Sequence, residues 1–213
     1  MLHWRTVSKE LKEILILLML EPAFNDFYLV GGTALSLQIG HRKSIDIDLF
    51  TDISYDRFDL EIIDSFIRQS FPYVTTSDID LTFGKAYYVG YSPDTIIKLD
   101  IFHADKFIFE KVEIESVRMV NIKEIVAMKL DVIQRIGRKK DFWDIYELKD
   151  YFSFHEMLDL HKQRYPYSHD RNLIIDNFTN FEQADDESDP MCLKGNIWDV
   201  IKYELVNWVN KNI

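Results

Sequence analysis

Apolar positions in this chain switch between two periods, and the switches outline its elements. Over residues 5–20, Leu11, Ile14, Leu15 and Leu18 recur at the i, i+3, i+4, i+7 spacing of a helix. The Glu21-Pro22 step ends it. Residues 27–30 form a short apolar strand, Gly31-Gly32 follows as a turn, and a short helix covers 33–39, stopped by Gly40. Residues 44–50 then alternate: Ile45, Ile47 and Leu49 point one way, Asp46 and Asp48 the other. Phe58, Ile62, Ile63 and Phe66 predict a helix over 54–69 that stops near Pro72.

Residues 73–120 change character. Short β-branched and aromatic runs at 73–76, 79–83, 86–91, 95–102 and 107–118, separated by Gly84-Lys85 and Ser92-Pro93-Asp94, predict an antiparallel meander. In the fourth run Ile97, Leu99 and Ile101 share one face and Asp100 takes the other. From Asn121 the chain turns helical, with Glu124 three residues on as in a capping box. Ile122, Ile125, Val126, Ile133 and Ile136 mark the apolar stripe, and Lys129 falls in its middle. The next helix, 138–149, repeats the anomaly: Asp141 lies among Phe142, Ile145 and Leu148, with Asp144 at the margin. Three further helices are expected around 154–163, 169–180 and 196–212, interrupted by an exposed acidic loop at 182–190. The pattern predicts an α+β chain, with strands confined to residues 1–120 and a helical subdomain over 121–213.

Composition narrows the setting. Of 213 residues 47% are hydrophobic and 29% charged, and no apolar run approaches the ~20 residues of a membrane span. The run at 14–20 follows Glu10, Lys12 and Glu13 and reads as core helix, not as a signal sequence. One cysteine, Cys192, excludes an internal disulfide framework and fits a cytoplasmic protein. A net charge of −11 means that the overall field does not draw in nucleic acid. A phosphate site must be local, and two basic clusters could supply one: His41-Arg42-Lys43, and Arg135 with Arg138-Lys139-Lys140. Each could equally be a solvated turn. None of the six histidines shows metal-ligand spacing, and no GxSxG serine motif is present.

Asp46 and Asp48 carry the chemistry. Two carboxylates on one strand face lie roughly 7 Å apart at the backbone and repel unless a cation sits between them. A divalent ion is the natural one. Asp100, on a strand that could lie beside the first, would make a third ligand. Gly31-Gly32-Thr33, between a strand and a helix, offers backbone N–H groups suited to phosphate. Lys129 either snorkels past the core edge or points its ammonium into a functional cavity.

Taken together, Gly-Gly-Thr-Ala-Leu at 31–35, Gly-His-Arg at 40–42, Ser-Ile-Asp-Ile-Asp-Leu-Phe at 44–50, Asp100, Lys129 and Arg-Lys-Lys-Asp-Phe-Trp-Asp at 138–144 resemble the polymerase-β-like nucleotidyltransferase superfamily. Within it they are similar to the AbiEii/AbiGii toxin family, over roughly residues 27–150. The resemblance implies a nucleotidyltransferase-type mixed sheet with flanking helices in 1–120, and a 121–213 subdomain closing the active-site cleft. It implies transfer of a nucleoside monophosphate from an NTP to an acceptor hydroxyl, with RNA (the tRNA 3′ end) as acceptor and a cognate antitoxin as partner. Asp46, Asp48 and Asp100 would bind Mg2+ in a two-metal site (Mn2+ being a possible substitute), Asp100 alternatively serving as general base. Gly31, Gly32, Thr33, Ser44, Arg42 and Lys129 would contact the nucleotide. Asp141 or Asp144 would position Lys129 or the nucleotide. Two other readings remain open: nucleotidylation of a small molecule such as an antibiotic, and a non-catalytic nucleotide-binding module.

Overall fold

The computed structural model describes residues 1–76 and 83–213. These divide into two compact units, one of residues 1–38 and 44–121, the other of residues 39–43 and 122–213. The turn at 39–43 thus belongs with the helical half of the sequence.

The first unit is built on a mixed sheet. Its strands are β1 (Phe27–Leu29), β2 (Asp46–Thr51), β3 (Tyr73–Thr76), β4 (Gly84–Gly90), β5 (Ile97–His103), β6 (Lys111–Ile114) and β7 (Val117–Val120). Their order is β3-β4-β5-β2-β1-β7-β6. The pairings within the expected meander are antiparallel, but it is split, since β5 and β6 are not neighbours in the sheet. β3, β4 and β5 run antiparallel in sequence, but β5 lies parallel to β2, and β1 lies parallel to β7. The single strand expected over 107–118 is a hairpin, turning at Glu115 and Ser116 with φ of 52° and 64°. Of the strand expected over 79–83, residues 79–82 lie outside the described residues.

Alternation decides which sheet face is core. Ile47, Leu49, Leu99 and Ile101 are fully buried, with Leu11, Ile14, Leu15 and Leu18 of α1 (Lys9–Leu20). Helix α2 (Gly31–Ile39) starts at Gly31 itself, so the expected glycine turn is the first turn of the helix. Helix α3 (Leu60–Ser70) begins later than its apolar spacing predicts, because the Asp59 carboxylate caps the N–H groups of Glu61 and Ile62, both at 3.1 Å. Ile63 and Ile67 face inward, leaving Ile62 exposed. α3 packs on the core face, where Asp64 accepts from Lys85 Nζ and Tyr87 Oη, each at 3.1 Å.

The second unit holds α4 (Ile122–Gln134), α5 (Lys139–Leu148), α6 (Phe154–Arg164), α7 (Arg171–Asn177), α8 (Glu182–Asp185) and α9 (Trp198–Asn210). Ser153 and Glu156 form a reciprocal capping box at the start of α6. Trp198 of α9 stacks on Trp143 of α5, centroids 6.2 Å apart. Two expectations change here. Ile136 is not on the α4 stripe; it lies past the helix end with φ of 75° and is 40% exposed. The acidic segment 182–190 is exposed as expected apart from Ala184 and Pro190, but it contains α8, and Glu187 and Asp189 engage the buried Lys139: its backbone N–H meets Glu187 Oε2 at 2.9 Å, and its Nζ meets Asp189 Oδ1 at 3.1 Å. Among the described residues no helix is long and apolar enough to cross a membrane.

Candidate active site

In the first unit, the sheet face opposite the core carries the candidate chemistry. Asp46, Asp48 and Phe50 point away from the core, and the parallel register sets Asp48 opposite Asp100 and Asp46 opposite Lys98. Strand neighbours lie about 4.8 Å apart, and like charges directly opposite destabilise a sheet. Lys98 relieves this. Its ammonium ion-pairs with Asp100. Partial burial works against the charged lysine, but the bond to Asp100 and the charges of Asp100, Asp48 and Asp46 outweigh it and raise its pKa. The lysine therefore sits in the field of all three carboxylates. Sequence reasoning missed it, although the alternation that turns Asp100 outward turns Lys98 outward too.

Asp100 Oδ1 is buried and makes no hydrogen bond. A buried carboxylate oxygen in that position is short of a partner. The three carboxylates supply the hard oxygen donors that Mg2+ takes, and the unpartnered oxygen fits an additional cation. As they stand, no three His, Cys, Asp or Glu side chains among the described residues converge closely enough to hold a metal ion. Asp46, Asp48 and Asp100 thus fit a divalent ion by donor type and strand register, with side chains still to be drawn together.

Gly31 adjoins this face. It has φ of +66°, and a Cβ there would lie 2.6 Å from Asp48 Oδ2. The first-turn N–H groups of α2, at Gly31, Gly32 and Thr33, lack carbonyl partners within the helix, as at any helix start. The side chains of Thr33 and Ser44, however, turn on each other. Thr33 Oγ1 donates to the Asp46 carbonyl and lies 2.8 Å from Ser44 Oγ, both residues being buried. A hydroxyl has one hydrogen, so Ser44 donates to Thr33. These side chains bind the start of α2 to the start of β2.

A second cluster lies within the other unit. Asp144 is fully buried and receives Arg42 as a fork, Nε at 2.6 Å and Nη2 at 2.8 Å. His41 Nε2 meets the same carboxylate at 2.7 Å; since a carboxylate only accepts, that nitrogen carries the hydrogen. His41 Nδ1 is buried without a hydrogen-bond partner. Lys129 Nζ bridges Asp141 at 2.7 Å and Asp144 at 2.6 Å. Asp141 Oδ2 also accepts from the Arg138 N–H at 3.2 Å and Nε at 3.1 Å, capping α5. Burial alone would raise Asp144; the charges of Arg42 and Lys129 and the bonds from His41 and Arg42 carry its pKa well below the usual carboxylate range. Burial would lower Lys129, but Asp141 and Asp144 raise it.

The turn 39–43 is therefore not a solvated basic loop. Lys43 N donates to Met191 O and Leu193 N to His41 O, each at 2.8 Å, and Arg42 bridges to Cys192. Arg42 and Lys129, expected to bind nucleotide, have their charged heads engaged by buried carboxylates.

A sequence model of the family described as "Nucleotidyl transferase AbiEii toxin, Type IV TA system" matches residues 14–192. An uncharacterized protein of Aquifex aeolicus (strain VF5) is 31% identical, the match covering 86% of this chain and 87% of that one. The fold is similar to the crystal structure of JHP933 from Helicobacter pylori, with TM-score 0.61, 19% identity and coverage of 94% of this chain and 88% of that one. It is also similar to MenT4, a nucleotidyltransferase toxin of Mycobacterium tuberculosis H37Rv, with TM-score 0.56, 14% identity and coverage of 92% and 79%. The chain belongs to the AbiEii nucleotidyl transferase toxin family.

Proposed function

We propose that this nucleotidyltransferase moves a nucleoside monophosphate from an NTP to a hydroxyl of RNA, the tRNA 3′ end being the favoured acceptor. In this reading it acts in the cytoplasm as the toxin of a toxin–antitoxin pair. What carries the reading is the carboxylate face: Asp48 opposite Asp100, with an unpartnered Asp100 oxygen, beside the glycine start of α2.

Asp46, Asp48 and Asp100 would hold Mg2+, which when bound neutralises polyphosphate charge and polarises the phosphoryl oxygens. The first-turn N–H groups of α2, backed by its dipole, would bind phosphate oxygens through Gly31 and Gly32. Where Asp46 and Asp48 alone hold the metal, Asp100 Oδ1 would instead accept the proton of the attacking hydroxyl. That hydroxyl oxygen bonds to the α-phosphorus, the bond to the bridging oxygen breaks, and pyrophosphate leaves with the electron pair. Arg42, Asp141 and Asp144 act as positioning residues for Lys129.

Incubation with each labelled NTP, Mg2+ and total cellular RNA tests this, since one gel reports both nucleotide and acceptor. Label should move to tRNA-sized species, require Mg2+ and disappear with Asp48→Ala. Expression should arrest growth, and Asp48→Ala should relieve the arrest. Equal toxicity of the Asp48→Ala protein would defeat the mechanism. Label on an aminoglycoside but not on RNA would establish the small-molecule reading instead.

A further inference from the structure

The row of side chains that contains Asp46 continues outward across the sheet. Asp46 is in register with Lys98 and Lys98 with Tyr88, so the three share one face of adjacent strands. Beside that row lies a cleft of about 460 Å³, within the size range of small-molecule sites. Ile45, Tyr88 and Ile96 line it and are 72%, 42% and 44% exposed, an unusual amount of bare apolar surface next to charged groups. Its other walls bring Glu10 and Asp94. The turn around Asp94 is tied down by Thr95 N donating to Ser92 O at 3.2 Å and by the two hydroxyls 2.9 Å apart. Its own backbone N–H and the Ser8 hydroxyl hold the Glu10 carboxyl below its ordinary pKa.

The chemistry of this lining selects its occupant. Glu10, Asp46 and Asp94 outnumber Lys98, which disfavours phosphate inside the cleft. The isoleucines and the tyrosine ring disfavour a polyhydroxylated cationic sugar, which has no flat apolar face to offer them. A planar uncharged ring with N–H donors on its edge satisfies both halves. We propose that this cleft is a nucleobase pocket, with Tyr88, Ile45 and Ile96 taking the ring face and Glu10 or Asp94 accepting from its amino edge. Carboxylates accept and never donate, so cytosine, adenine and guanine, with exocyclic amino groups, bind in preference to uracil, whose single edge donor N3–H is flanked by two carbonyl oxygens that the carboxylates repel. The proposal rests on the nucleotidyl-transfer reading, because the base belongs either to the NTP or to the terminal nucleotide of the acceptor.

Ligand-observed NMR of the intact protein with the four ribonucleosides tests the pocket without any transfer. Uridine should bind weakest. Stacking on an aromatic side chain makes Tyr88→Ala roughly tenfold weaker for the other three, whereas Tyr88→Phe should bind as wild type. Asp94→Asn should shrink the discrimination against uridine. Nucleoside binding unchanged in Tyr88→Ala, or displacement of nucleosides by kanamycin without any effect of Tyr88, would overturn the proposal. Steady-state transfer then locates the base. A raised KM for NTP alone assigns it to the nucleotide, and a raised KM for RNA alone assigns it to the acceptor. If neither KM moves, the pocket is wrong while the transferase stands. If wild type transfers nothing from any NTP, the activity reading fails, and the nucleoside titration still decides the cleft.

Discussion

Gly31 and Asp144 show at the residue scale how tightly each cluster is built. At Gly31 a positive φ of +66° coincides with a carboxylate oxygen 2.6 Å from where a Cβ would stand. Gly31→Ala must therefore shift either the start of α2 or Asp48. We expect a loss of about 1–2 kcal/mol for the left-handed conformation alone, and at least a tenfold fall in transfer. Thermal melts and the labelled-NTP assay report the two separately; full activity would mean that this contact does not place Asp48. At Asp144 the argument is electrostatic. Asn in its place removes the buried carboxylate that Arg42 and Lys129 share and leaves Lys129 with Asp141, a change that costs roughly 3–5 kcal/mol. Because the folded pKa of Asp144 is depressed, its contribution is fully present above the unfolded value of about 3.9 and is lost as pH falls below that. That of Lys129, raised, is present below its unfolded value of about 10.4 and is lost only as pH rises past it. Denaturant titrations should thus show a constant gap between wild type and Asp144→Asn from pH 5 to pH 9, closing below pH 4. A gap that closes well above pH 5 would contradict this assignment to Asp144.

At the scale of elements, the connection between α4 and α5 holds a conformation its sequence resists. Ile136 is β-branched, sits at φ of 75° and is 40% exposed, so its side chain gains little from burial there. Its N–H still closes the helix end on Ile133 O at 3.0 Å. Ile136→Gly should raise stability by about 1 kcal/mol by removing the left-handed penalty; a loss measured by denaturation would show that the side chain is anchored more firmly than its exposure suggests. The same residue marks a limit of reading elements from the chain. Helical spacing places Ile136 on the α4 stripe, but the following Gly137-Arg138 step, and the cap that Asp141 gives Arg138, fix the boundary. Period-two alternation made β2 and β5 legible with their aspartates, since each strand buries one face only. The parallel pairings were not legible, because register between distant strands leaves no local trace. The β6–β7 hairpin escaped because its turn uses Glu115-Ser116 instead of a glycine pair. His41 and Arg42 looked solvated for a related reason: the carboxylate that buries them is on a helix far along the chain.

For the whole molecule, charge is the property that constrains an RNA acceptor. The chain carries 25 Lys and Arg against 36 Asp and Glu, a net charge of −11. Many of its cations are already paired: Arg135 with Asp131, Arg138 with Asp141, Lys194 with Glu147 and Lys202 with Asp185. Each of these would give up its carboxylate before taking up a backbone phosphate. Proteins making 6–10 phosphate contacts lose about 10³–10⁵ in affinity between 50 and 200 mM salt. With two contacts on a single-stranded end, at a slope of about 0.7 per contact, the loss over the same range is only about sevenfold. Added salt also screens the repulsion between an acidic protein and RNA, which flattens the dependence further. The KM for RNA should therefore rise less than about tenfold between 50 and 200 mM KCl, and the acceptor should be chosen by its end and bases more than by its backbone. A rise of a hundredfold or more in steady-state assays would contradict this and require a concentrated basic surface that takes up many phosphates.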